Sequence, residues 1–552
     1  MSDLQIKQLN QRWQALVNER ASWISHWEDI SDYLLPRSGR FFNQRVNDGD
    51  KKHNHIYDNT GTKALRVLAA GMMSGMTSPS RPWFKLSVAD NGLMQYEPVK
   101  IWLNGVTEQI QDVLARSNAY RVLHHIYEEL GAFGTASAFI GHDYENVIHL
   151  HAFTAGEYVL AQNWRNEVET LYREFDATVS QLVREFGFDV LPARIQSQFQ
   201  RGELETLHSI RHAIEPRHDR DFSKKDAKNM PFKSCYWLQG DNQTLLRESG
   251  FLSFPCVSPR WATKPCDVYG SSPAMDALGD IKQLQQDQSR KSLAIEYQAN
   301  PPIQVPSSLK NRESDYLPGG VTYYDPLSAP QGVKNAFDVP LDIRNLLLDV
   351  QDIRGRINSA FFADVFMMIS SIDSRMTATE VAERHEEKML MLGPVVERLN
   401  NELLDPLVET VFERLLVGGL LPPAPEELQG ADLNIEYVSV LAQAQKAAAV
   451  NGVDRFVSRL GEIAAIKPDV LDRFNADHWA EMYSDKLGID PELIVPGEQA
   501  ALVRQDRAKA MAAQQQQMAL TQAAEMASKL GNTPTTPGTV TNELIKRLGM
   551  AA

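Results

Sequence analysis

The chain has 552 residues, 43% of them apolar and 23% charged, with a formal net charge of −15. That length exceeds what one hydrophobic core organises, so several subdomains of an ordinary globular protein are expected. The acidic balance excludes a protein that grips nucleic acid through a broad basic face. Three cysteines, Cys235, Cys256 and Cys266, suggest a reducing compartment without a disulfide framework. Residues 1–20 are polar and do not read as a secretory leader. Apolar runs such as 131–141 are too short to span a bilayer.

Residues 3–35 read as an amphipathic helix, with Leu9, Trp13, Leu16, Trp23, Trp27, Ile30 and Leu34 at spacings of three and four, Arg20 as the one exception and Pro36 as the stop. Such a helix can pack on its own core or on a neighbouring copy, and the spacing does not choose. Residues 37–56 are polar and loop-like. Asp58 to Thr60 can cap a second helix, in which Ala69, Ala70, Gly71, Ser74 and Gly75 allow another backbone to come close. After the break at 78–82, residues 83–88 read as a strand. Residues 97–130 read as helical, with Trp102, Leu103, Val106, Ile110, Val113 and Leu114 on one face.

From 136 to 171, short runs with alternation or β-branched residues read as strands of an α+β region. A short helix at 179–186, a strand near 206–215, a charged loop at 217–231 and a hairpin beyond it follow. Residues 271–299 read as a long helix, capped by Ser271 or Ser272 with Pro273 in the first turn, and spanning roughly 43 Å at ~1.5 Å per residue. Its apolar stripe is thin: Met275, Leu278, Ile281, Leu284, Leu293 and Ile295. Residues 303–338 are rich in Pro, Gly, Ser and Tyr with strand-like fragments, and a second helix runs from Pro340 to about Ala360.

Ser374 to Leu416 reads as a long acidic helix. Thr377 and Glu380 form a capping box at its start. Leu392, Val395, Val396, Leu399, Leu403, Leu407, Val411 and Leu415 give one buried face, and Gly393, Pro394 and Pro406 should bend it. Residues 421–425 are a linker, 432–495 read as mainly helical, and the Ala- and Gln-rich stretch 499–530 has high helix propensity but small side chains.

Three stretches in the right order carry a family likeness. They are YDNTGTKALRVLAAGMMSGMTSPSRPWFKL at 57–86, LGAFGTA at 130–136, and TATEVAERHEEK with GPVVERLNNELLDPLVETV between 377 and 411. Together they resemble the head-to-tail connectors, or portal proteins, of short-tailed double-stranded DNA phages. The likeness covers about Glu19 to about Leu420, and the C-terminal quarter is assigned by position alone.

The resemblance implies an α+β, mainly α subunit with wing, helical stem, small β-containing clip and helical crown, assembling into a ring of about twelve copies. The parts would be the N-terminal wing at 1–270, the stem helix at 271–299, the clip at 300–338, the returning stem helix at 339–360, the tunnel loop at 361–376, the kinked wing helix and linker at 377–431, and the crown and tail at 432–552. The DNA-facing loop would offer Phe361, Asp364, Phe366, Met367, Met368, Asp373 and Arg375. The clip would dock partners through Lys310, Arg312, Asp315, Tyr316, Tyr323 and Tyr324. Partners implied are the major capsid protein, a scaffold protein, the large terminase, a tail adaptor and double-stranded DNA, at the portal vertex of a virion and after synthesis in the host cytoplasm. A channel wall poor in Lys and Arg suits DNA that must slide, because tight binding comes from counterion release at phosphates.

No phosphate loop, dinucleotide fingerprint or hydrolase elbow is present in the sequence, so neither catalysis nor a cofactor is expected and a packaging motor would be a separate protein. His142, His149 and His151 lie close together but lack further metal ligands in a recognisable spacing. The competing reading is a cytoplasmic helical enzyme or scaffold with an unrecognised site. Direct membrane insertion is not expected.

Overall fold

The computed structural model describes residues 2–41, 54–299 apart from 225 and 242, 303–304, 334–335, 343–370, 391–428 and 433–438, with scattered positions between 457 and 518. Two units divide the chain, Met1–Ala448 and Ala449–Ala552. The first is a mixed helical and sheet structure.

Helix α1 (Ser2–Tyr33) serves two cores of its own chain. Ile6, Leu9, Trp13 and Leu16 pack on Val159, Tyr172 and Trp237, whereas Trp27, Ile30 and Leu34 enter the main core. The intramolecular alternative therefore accounts for its stripe. Arg20, the polar exception, is buried because its Nη1 donates to the carbonyls of Gly156, at 2.8 Å, and Tyr158. Those carbonyls flank or belong to an edge strand, whose Leu160 N–H is met by Tyr269 Oη at 3.1 Å, so that edge is sealed from within.

Helix α2 (Thr60–Met76) leads into β1 (Phe84–Val88). A short α3 (Asn91–Gln95) precedes α4 (Glu97–Arg116) and α5 (Ala119–Phe133). The stretch read as helical over 97–130 is thus two helices. Ser117 is extended, and Asn118 exchanges side-chain hydrogen bonds with both backbone groups of Leu150, which a straight helix would not allow. Gly134 ends α5 in the left-handed region (φ +75°), and a Cβ there would lie 2.2 Å from the Gly270 carbonyl. Thr135 Oγ1 accepts from Gly270 N at 2.8 Å, so the Gly-Thr turn holds the start of the next long helix.

Strands β2 (Ser137–Asp143), β3 (Val147–Phe153), β4 (Tyr158–Gln162) and β5 (Val168–Thr178) follow. Next come α6 (Val179–Phe186), α7 (Ala193–Gln200), β6 (Leu207–Pro216), β7 (Phe232–Leu238), β8 (Leu245–Phe251) and β9 (Cys256–Val257). Helix α7 has no counterpart in the sequence reading. The strands form two antiparallel sheets, ordered β3-β2-β9 and β4-β5-β6-β7-β8.

Helix α8 (Pro273–Ala299) starts on Ser272, whose hydroxyl accepts from Met275 N at 3.1 Å. Beyond it β10 (Ile303–Gln304) pairs antiparallel with β11 (Lys334–Asn335), and α9 (Ile343–Ala360) returns against α8. The order helix, β excursion, returning helix agrees with the sequence reading at its described ends. A further helix α10 (Ala363–Ser370) comes next. Helix α11 covers 391–399, a π-helical turn covers Asn400–Leu404, and α12 runs over Asp405–Val417. All eight apolar positions read for this long face are buried. Gly393 and Pro394 lie inside the helical run 391–399; the irregularity is further on. Pro406 has no N–H and would crowd the carbonyl four residues back, and the wider turn bonds Asp405 N–H to the Asn400 carbonyl instead.

The stretch 432–495, read as mainly helical, opens instead on a strand. Residues 433–437 form strand β12, which pairs antiparallel with β1, from Phe84 opposite Tyr437 to Val88 opposite Leu433. The Pro-Trp-Phe succession supplies that sheet: Trp83 and Phe84 are buried, Trp83 stacks on Tyr437, and its carbonyl accepts from Val438 N at 3.0 Å. In the second unit, described residues 503–507 and 509–514 are helical, in the stretch read as high in helix propensity.

Candidate functional site

Asp58 organises the meeting of three helices. Its Oδ1 accepts from the Thr60 N–H at 2.9 Å and the Thr60 hydroxyl at 2.6 Å, opening α2. Its Oδ2 accepts from Arg354 of α9, at 3.1 Å to Nε and 2.7 Å to Nη2, and from Gln288 of α8 at 3.0 Å. Gln285 of α8, itself buried, accepts from the Tyr57 and Asp58 N–H groups and donates to the Asp58 carbonyl. Burial alone would raise the Asp58 carboxyl; the Thr60 and Arg354 hydrogen bonds outweigh it and hold the group below its ordinary value. The Asp-x-Thr motif is therefore more than a cap. Arg354 and Gln285 were not singled out in the sequence; the thin apolar stripe of the helix that carries Gln285 was the only sign.

The turn between α9 and α10 is the second element. Phe362 stands at φ +54°, a left-handed conformation that a bulky residue adopts only when its surroundings hold it there. Phe361 on one side and Phe366 a turn later are both buried. Phe366 fills the notch left by Gly71, where an added Cβ would be 2.1 Å from its Cγ. Phe361 and Phe366 therefore belong to the subunit core here, correcting their reading as DNA-facing side chains. Their aromatic burial outweighs any gain from exposure. Met367 is about half exposed and Asp364 is partly exposed. The backbone of Met368 lies in α10. Asp373, Arg375, Thr377 and Glu380 fall outside the described residues, as do Lys310, Arg312, Asp315, Tyr316, Tyr323 and Tyr324.

The third element is the π-turn. Glu402 takes Arg260 in a forked pair, 2.7 Å from Nη2 to Oε1 and 3.3 Å from Nε to Oε2, and also accepts the Arg260 N–H at 2.9 Å. Arg260 further reaches Gln162 and the Asn166 carbonyl. Twelve residues on, Arg414 donates at 2.7 Å to the Gly141 and Ile140 carbonyls. The long helix is thus tied to the sheets by two arginines, neither visible as a motif. A planar guanidinium with five donors suits such multiple acceptors, as a lysine would not.

Nothing in this set resembles reaction chemistry: carboxylates are tied to cations or backbone, and among the described residues no cluster of His, Cys, Asp and Glu could hold a metal ion. No helix of the described residues is long and apolar enough to cross a membrane.

The model of the bacteriophage head to tail connecting protein family matches residues 6–495. The chain belongs to that family. It is 55% identical over 531 residues to the probable portal protein of Bordetella phage BPP-1, with 96% of each chain covered. It is 44% identical over 532 residues to the portal protein of Salmonella phage epsilon15, again covering 96% of each. A chain from the virion of a native gene transfer agent particle aligns over 78% of this chain and 91% of its own at 11% identity, with a TM-score of 0.34. The chain is a head-to-tail connector of a phage particle. In this connector, the stretches singled out at 57–86 and 130–136, and the described part (391–411) of the one at 377–411, do identifiable work: they open α2 on Asp58, shape the Gly134 turn, and bury the long helix.

Proposed function

We propose that the connector works as a ring of about twelve subunits at one vertex of a short-tailed, double-stranded DNA phage. There it nucleates head assembly with scaffold and capsid proteins, conducts DNA inward during packaging and outward at ejection, and docks the terminase and then the tail adaptor. The observation that carries the reading is the antiparallel pair α8 and α9, joined to the wing at Asp58 and zipped by β10 and β11 around residues 305–333. That arrangement suits a protruding clip on a two-helix stem. The clip residues would take the docking role, and Asp364, Met367 and Met368, with Asp373 and Arg375, would border the channel. A soft thioether offers contact without the directional hydrogen bonds that sequence readout needs.

The test images the purified connector by negative stain and weighs it by mass photometry. Rings with a central channel near twelve subunits support the proposal; a monodisperse monomer or small dimer, even with scaffold protein added, ends it. Deleting 303–336 should leave rings intact and abolish terminase and adaptor docking. Loss of oligomerisation instead would show that the clip is misplaced.

A further inference from the structure

One end of the five-stranded sheet holds two aromatic side chains out into solvent on rigid supports. The register places the β4–β5 turn and the β6–β7 loop at the same end: Gln162 pairs with Val168 there, Leu171 with Ile214, and Pro216 with Phe232. The turn carries Trp164, 85% exposed, and the loop carries Phe222, 83% exposed. Each lies against an arginine, Arg165 at 4.9 Å and Arg220 at 4.9 Å from the ring centres.

Both aromatics are flanked by residues held in place by hydrogen bonds. Asn163 Oδ1 accepts from Arg165 N and Glu167 N at 2.8 and 3.1 Å, and Arg260 holds the Asn166 carbonyl at 2.7 Å. In the loop, Arg220 Nε donates to the Asn229 carbonyl at 2.8 Å, Asn229 Oδ1 accepts from Asp221 N, and the Arg217 N–H closes the base on the Pro231 carbonyl. Ordering a turn this fully while leaving its aromatic in water gives the subunit little in return. Together the two rings expose on the order of 300 Å² of largely apolar surface. Preorganised Trp, Phe and Arg are what a protein-binding hot spot presents.

Charge indicates the occupant. Residues 217–231 hold five Lys or Arg and three Asp, a net of +2 in a chain of net −15. Copies of so acidic a chain repel one another, and they meet at least cost where one of them is locally positive. We propose that this sheet end, with Trp164 and Phe222 as anchors, is a contact surface for a neighbouring copy of the same chain. The inference rests on the ring reading above and deepens it. The contact is heterologous: the positive, aromatic end of one subunit meets a different, acidic face of the next.

The test compares the full-length chain with the Trp164→Ser, Phe222→Ser double variant and with Arg165→Glu, Lys228→Glu. Circular dichroism and thermal melts check folding, and mass photometry across a dilution series reads assembly. The proposal expects folded variants whose half-assembly concentration rises more than tenfold, with the charge variant's defect weakening as salt increases. Rings from both variants at wild-type concentrations overturn it, and if those rings then fail to enter co-expressed heads, the surface faces the shell instead. Should the unaltered chain form no ring, the ring reading itself falls, and this inference with it.

Discussion

Arg354 places Nε and Nη2 on the same oxygen of Asp58, at 3.1 and 2.7 Å, and that oxygen also takes Gln288. One carboxylate thereby fixes α8, α9 and the start of α2 relative to one another. Asp58→Asn is expected to cost about 1–3 kcal/mol, because Arg354 remains partly exposed and water screens the pair. Arg354→Ala should cost a similar amount, and the double variant should cost clearly less than the sum. Urea melts of the three variants measure this, and strict additivity would mean that the pair does not act as a unit. Since the folded Asp58 pKa lies below its unfolded value, this stabilisation is present above the unfolded pKa and is lost as pH falls through the folded one.

Glu129 gives the opposite dependence. It is buried on α5, accepts from the Thr154 hydroxyl at 2.8 Å and from Ala155 N at 3.1 Å, and has no cation in contact except when His125, 3.9 Å away, is protonated. Burial pushes its carboxyl up, the two hydrogen bonds oppose this and the neighbouring Glu128 and Glu157 add to it, so that the group stands at about 8. The folded state therefore binds a proton that the unfolded chain has released, so stability falls as pH rises from the unfolded carboxylate range to about 8. Glu129→Gln mimics the protonated acid and should flatten the slope between pH 5 and 8. Thermal melts at half-unit steps check this, and an unchanged slope would assign the dependence to other groups.

Gly71→Ala should disturb the α9–α10 turn more than it disturbs α2. Alanine suits a helix better than glycine, yet the new methyl would displace the Phe366 ring. Phe366→Ala in the same background takes away the ring atoms at 2.1 and 2.3 Å but keeps the Phe366 Cβ 2.6 Å from the new methyl, so it should recover only part of the loss. Limited proteolysis reads the effect: faster cleavage within 361–370 is expected in Gly71→Ala and less so in the double variant. Equal protection in all three would separate Gly71 from that turn.

Much of the helical framework was legible in the sequence because caps and three–four spacings act locally. Ser272, the α1 stripe and the face from Leu392 to Leu415 are of this kind. What stayed hidden depends on partners distant in sequence. The break at Ser117 needs Leu150, and β12 becomes a strand by pairing with β1 some 345 positions earlier. At the candidate site, Asp58 was legible as a cap, but its link to Arg354 was not, since no periodicity joins a loop to a helix turn so far away. Phe361 and Phe366 were misread for a related reason. The composition of a segment does not say which side faces the core, and Gly71, which receives Phe366, lies on another helix.

The pairing of Ile303 with Asn335 and Gln304 with Lys334 has a consequence for how this connector can vary. It holds the ends of the intervening segment together whatever lies between them. The entropy cost of closing such a loop grows only with the logarithm of its length, about 0.6 kcal/mol for each doubling. Segments of quite different length and composition could therefore be exchanged between 304 and 334 while the two supporting helices keep their packing. A phage lineage could rewrite this one segment and leave the rest of the subunit unchanged.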